Sequence, residues 1–149
     1  MDVAIGKKIL ELLDGHRIMT IATNRPDGWP QATTVGFVNQ GLTLYFLCGL
    51  DSQKAANLER DDRASLAIDH DEPNVMAITG LSMAVRAKVV SDPAKGAEIL
   101  RLLTLKYPPQ PLPGPMPGPS EVRIFELTPT VISVLDYSKG FGHADLVTC

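Results

Sequence analysis

Ser52, Gln53 and Lys54 open a short amphipathic stretch directly after an apolar run, in the order LTLYFLCGLDSQKAANL from Leu42 to Leu58. That order reads as a strand, a short turn and a helix whose first turn carries a hydroxyl, an amide and an ammonium. A cation at a helix N-terminus faces the positive end of the helix dipole, an unfavourable position. A docked anion relieves the conflict, because free backbone N–H groups, the Ser52 hydroxyl and the Lys54 ammonium then converge on it. The chemistry implied is capture of a phosphate-bearing ligand. The plainer alternative is that Asp51 or Ser52 caps the helix while Lys54 points into water.

Other reactive side chains form no comparable constellation. His16, His70 and His143 are scattered with no metal-ligand spacing, so no metal is expected. His70-Asp71-Glu72 reads as a solvated loop. Cys48 ends an apolar strand, as a small filler or as a redox thiol, and Cys149 is the last residue. Both are expected to be reduced thiols of a cytoplasmic protein. The formal charge of −3 offers no basic footprint for nucleic acid. No apolar run reaches the roughly 18 to 20 residues needed to cross a bilayer, and the N-terminal MDVAIGKKILELLDGH reads as neither signal peptide nor anchor.

The 149 residues suffice for one domain, expected to span 1–149. Apolar residues from Val3 to Leu13 predict a helix ending near Asp14-Gly15. Arg17–Thr23, Pro30–Asn39 and Leu42–Cys48 predict three strands joined by tight turns, an antiparallel meander. After the Ser52–Arg60 helix, Ala64–Asp69 predicts a fourth strand and Val75–Ser91 a long β run, with Gly80 marking a bulge or bend. Asp92-Pro93 starts a helix running to about Leu105. The proline-dense segment 107–120 is expected to be an extended loop, and Val122–Leu135 a β segment interrupted at Thr128-Pro129. In the polar and aromatic tail, 136–149, Tyr137, Lys139, Phe141 and His143 either close over a ligand or lie exposed. The expected architecture is mainly β: a small antiparallel barrel of about six or seven strands with two or three peripheral helices.

Four segments in this order resemble the FMN-binding split β-barrel family related to pyridoxamine 5′-phosphate oxidase. They are MTIATNRPDGWPQATTVGF with its Asp-Gly-x-Pro turn, LYFLCGLDSQKAANL with Ser-x-Lys, ITGLSMAVRAKVVSDP, and ELTPTVISVLDYSKGFGH. The resemblance implies a split barrel and a homodimer with FMN at the subunit interface. It places Ser52, Gln53 and Lys54 on the FMN phosphate. Thr33, Thr34 and Val35 match the strand lining the flavin and its ribityl chain, and Leu47 and Cys48 end the third strand beside the same pocket. It implies an FMN-dependent oxidoreductase acting on a small organic substrate. A non-catalytic FMN-binding module, a deazaflavin-dependent reductase and a member without flavin remain open alternatives.

Some positions depart from the family pattern. Thr33 stands where the oxidase has an arginine, Val38 where it has a lysine, and Gln53 replaces a further arginine. Lys54 therefore carries more of the phosphate charge, and FMN retention is expected to be weaker, since Gln and Thr lack the guanidinium fork. A late tryptophan and an Arg-x-His element, used by the oxidase on its vitamin substrate, are also missing; Trp29 is the single tryptophan. Pyridoxamine 5′-phosphate is thus not the expected substrate.

Overall fold

The computed structural model describes residues 1–109 and 117–149. Half of the proline-dense segment expected to form a loop, residues 110–116, lies outside the described residues. Three helices, α1 (Val3–Asp14), α2 (Gln53–Arg60) and α3 (Pro93–Lys106), flank one curled antiparallel sheet. Its strands are β1 (Ile18–Asn24), β2 (Pro30–Gly36), β3 (Val38–Gln40), β4 (Thr43–Gly49), β5 (Arg63–Ile68), β6 (Thr79–Val89), β7 (Val122–Asp136) and β8 (Ala144–Thr148). Seven follow the path β2-β1-β5-β6-β7-β4-β3, and β8 pairs with β7. This is the split half-barrel expected of the alternating apolar pattern, mainly β with three peripheral helices. No helix among the described residues is long and apolar enough to cross a membrane.

The expected meander of the first three strands does not form. Pro30–Asn39 splits at Phe37, sending β2 to one edge of the sheet and β3 with β4 to the other. The break has a long-range cause: the buried Phe37 N–H donates to the Tyr107 hydroxyl at 3.0 Å, and that hydroxyl bonds the Arg17 carbonyl. The Tyr107 ring lies so close over Gly36 that a Cβ there would sit 2.5 Å from its hydroxyl.

Gly80 marks close approach rather than the expected bulge or bend, since a Cβ would meet the Ile68 carbonyl oxygen at 2.6 Å. The bulge instead lies on β7. Pro129 pairs with Val85 and Val131 with Ala84, so Thr130 is the extra residue, its hydroxyl donating to the Ala84 carbonyl at 3.2 Å. β7 therefore runs through Thr128-Pro129 without a break. The tail is likewise ordered, as a 3₁₀ turn (Tyr137–Lys139) and β8.

Alternation divides the apolar residues between two layers. Met19, Ile21, Leu44, Phe46, Leu66, Met83, Phe125 and Ile132 fill the barrel, closed by Ile9 and Leu13 of α1 and Leu58 of α2. On the other side of β4 and β7, Tyr45 and Ile124 pack on Ile99 and Leu103 of α3.

Lys106, at the end of α3, ties the two layers together: its ammonium reaches the Leu13 carbonyl at 3.2 Å and lies 3.8 Å from the centre of the Phe37 ring. Both contacts favour the cation, but burial outweighs them and lowers its pKa to about 8, with Asp14 opposing and Arg17 adding. An unfolded lysine titrates near 10.4, so between those values the native state binds fewer protons and stability from this group rises with pH. From about pH 7.5 to 9.5, the urea midpoint of the wild type should rise relative to that of Lys106→Met. A pH-independent difference would contradict this assignment.

Candidate functional site

The turn after β4 delivers the chain directly into α2. Ser52 is the N-cap: its backbone N–H donates to the Gly49 carbonyl at 3.1 Å, and its hydroxyl oxygen accepts from the Ala55 N–H at 3.2 Å. The backbone N–H groups of Gln53 and Lys54, in the first turn, have no acceptor within the helix. Lys54 is half-buried, and no carboxylate among the described residues pairs with its ammonium. The first turn contains no acidic residue to offset the helix dipole. Ser52 thus does cap the helix, and Lys54 is still left with an unneutralised charge beside open N–H groups.

Cys48 lies under this turn, buried in the barrel core. Burial pushes its thiol pKa up, while the bonded Ser52 hydroxyl and the charges of Lys54 and Arg123 pull it down and Glu59 opposes them. Burial prevails, so the thiol stays protonated and unreactive. Arg123 sits opposite Cys48 in the β4–β7 register, with its guanidinium held by Glu59.

A chain of hydrogen bonds seats α2 on β1. Gln53 Nε2 donates to Asn57 Oδ1 at 2.8 Å, and Asn57 Nδ2 donates to Thr23 Oγ1 at 3.0 Å; Thr23 and Asn57 are buried. At the other end of α2, Arg60 bonds the Asn24 carbonyl and Asn24 donates to Asp61 at 3.1 Å. Bonds from Arg63 hold the Asp61 carboxyl well below the usual carboxylate range. Beside Gln53, the β1–β2 turn closes a cleft of about 450 Å³ walled by Arg25, Pro26, Asp27 and Gln31. Arg25 is paired with Asp27 at 2.8 Å.

The residues expected to bind a ligand do not all come together. Ser52, Gln53, Lys54 and Cys48 come together at the start of α2. Thr33 and Val35 face inward, because they pair with the buried Ile21 and Met19 of β1. Thr34 points outward beside the exposed Thr20, and Leu47 turns to the α3 layer, on the opposite side of β4 from Cys48. In the tail, His143 Nε2 lies 3.3 Å from Asp145 Oδ2 but makes no hydrogen bond, and Phe141 meets Tyr137 edge-on at 5.7 Å. Asn57, Thr23, Gln31, Arg25 and Arg123 escaped the sequence reading. Asn57 alone carried a signal, a polar residue four positions after Gln53 on the buried side of a short helix.

A family model described as pyridoxamine 5′-phosphate oxidase matches residues 5–136. The chain belongs to that family. Among solved structures, a conserved hypothetical protein of Mycobacterium tuberculosis is 24% identical with a TM-score of 0.77, covering 97% of this chain and 91% of its own. An F420 reductase is 28% identical with a TM-score of 0.66, covering 83% and 94%. A heme-binding protein of Mycobacterium smegmatis shares the fold at 18% identity and a TM-score of 0.74, with 99% of this chain matching 59% of that one. No curated protein matches the chain. Membership of the pyridoxamine 5′-phosphate oxidase family agrees with the resemblance of the opening hairpin and the Ser-x-Lys helix.

Since Asn57 carries the bond between α2 and β1, Asn57→Ala should strand the Thr23 hydroxyl and cost about 1–3 kcal/mol of stability. Urea unfolding should show a lower midpoint with an unchanged slope; an unmoved midpoint would show that the chain is not structural.

Proposed function

We propose that this chain is a flavin-binding oxidoreductase that holds the FMN phosphate at the start of α2. The observation carrying this reading is the unpaired Lys54 ammonium beside the open N–H groups of Gln53 and Lys54. A phosphate dianion supplies the charge and the acceptor lone pairs that this corner lacks. The donor set fits the group: the first turn of α2 carries the Ser52 hydroxyl, the Gln53 amide, two backbone N–H groups and one cation. When bound, the flavin would supply hydride or electron transfer through its ring. The chain's own part is to fix the phosphate, place the ring and exclude water.

Ring placement follows from β2. Thr33 offers an inward hydroxyl and Thr34 an outward one, on the edge strand of the sheet. The outer face of β2, β1, β5 and β6 presents small exposed side chains, among them Thr20, Thr34, Ser65, Ala67, Ser82 and Ala84. It also contains a cleft of about 480 Å³ bordered by Ala22, Pro30, Ser65 and Arg86. Small side chains allow a flat partner to approach the backbone closely, so in this reading a second copy of the chain covers this face and encloses the ring. The substrate class is a small organic molecule other than pyridoxamine 5′-phosphate.

A deazaflavin is the second reading, favoured by the similarity to an F420 reductase. Mass identification of the cofactor released from purified protein separates the two. Reduction of the bound flavin by NADH or NADPH, rather than by dithionite alone, separates an enzyme from a flavin-storing module.

Lys54→Ala should raise the FMN dissociation constant about ten- to a hundred-fold, the equivalent of one charge-assisted hydrogen bond of roughly 1.5–3 kcal/mol. An unchanged constant would remove Lys54 from the phosphate site. For the dimer, equilibrium sedimentation should give twice the 16.1 kDa chain mass, and Ala67→Arg should halve it. A wild-type monomer would overturn the dimer, and a variant that stays dimeric would place the interface elsewhere.

A further inference from the structure

His16 and His70, 54 positions apart, meet edge to edge where the ends of α1 and β5 come together. His16 Nδ1 lies 2.7 Å from the Leu12 carbonyl oxygen, which can only accept, so Nδ1 carries the proton and Nε2 presents a lone pair. That Nε2 lies 3.2 Å from His70 Nδ1. On the far side of the His70 ring, Nε2 faces the Glu72 carboxylate at 3.5 Å, an ion-pair distance. The ring centres are 5.4 Å apart with planes tilted by 33°, so the two facing nitrogens lie between the rings. With the lone pair of His16 Nε2 facing His70 Nδ1, the short contact is bridged either by a proton on His70 Nδ1 or by a metal ion that takes its place.

We propose that His16 Nε2 and His70 Nδ1 form a two-imidazole site for a borderline divalent transition-metal ion such as Zn²⁺ or Ni²⁺. Two nitrogens at metal–imidazole distances of about 2.0–2.1 Å, set at a tetrahedral angle, stand about 3.3 Å apart. The observed separation is 3.2 Å. A ligating imidazole characteristically gives its other N–H to a backbone carbonyl or a carboxylate; here the Leu12 carbonyl accepts from His16, and the Glu72 carboxylate faces the far nitrogen of His70 at 3.5 Å. The pair borders an open cleft of about 740 Å³ whose wall carries Asp14, Asp69 and Asp71 against Arg17 and Lys106. The carboxylates outnumber the cations and favour a positive guest. No group of three or more ligating side chains lies together among the described residues, so water completes the coordination and the ion exchanges freely.

Isothermal titration of chelator-treated full-length protein with ZnCl₂, and separately with NiCl₂, tests the site. One saturable equivalent is expected, weakened at least tenfold in His16→Ala and in His70→Ala and unchanged in His143→Ala. Glu72→Gln, which keeps the shape and removes the carboxylate charge, should weaken binding by about tenfold. No saturation up to about 1 mM metal would mean that the two rings share only a proton and would overturn the proposal. Binding that survives both His16→Ala and His70→Ala, or falls equally in His143→Ala, would also overturn it.

Discussion

The hydrogen-bonded chain from Gln53 through Asn57 to Thr23 is the constraint on which the candidate site depends. It fixes one short helix to the barrel wall at a defined rotation, so that Ser52 caps the first turn and Lys54 lies beside open N–H groups. The Asn57 amide and the Thr23 hydroxyl are buried and paired, which makes their bond costly to lose and holds α2 in one orientation. A helix free to roll would let the Lys54 ammonium escape into solvent, and the positive charge would not accumulate in one place.

What could be read in the sequence followed the strength of local patterns. Asp92-Pro93 carries both an N-cap and a proline suited to the first turn, and α3 begins at Pro93 with Asp92 accepting from the Ala94 N–H. The alternation in β5 and β6 likewise fixes which side faces the core. The split at Phe37 was not legible, because its cause is a tyrosine 70 positions away whose hydroxyl takes a strand N–H. Local pattern makes Gly80 a bulge or a bend, whereas the demand for glycine comes from a backbone oxygen on a neighbouring strand.

The same division holds for the site. Ser52 and Lys54 were visible because a capping residue and a misplaced cation are local signals. Thr33 and Thr34 were indistinguishable by type, yet strand alternation puts one inside and the other outside, and Leu47 and Cys48 part in the same way. Histidines scattered in the chain become neighbours once the sheet curls, so spacing arguments that work along a helix miss a pair built across α1 and β5.

A crystal structure of the protein soaked with FMN tests the central claim most directly. The account predicts phosphate oxygens at about 2.7–3.0 Å from the Lys54 ammonium and within hydrogen-bond reach of the Ser52 hydroxyl and the Gln53 and Lys54 N–H groups. A bound flavin whose phosphate lies elsewhere, with Lys54 extended into solvent, would contradict it.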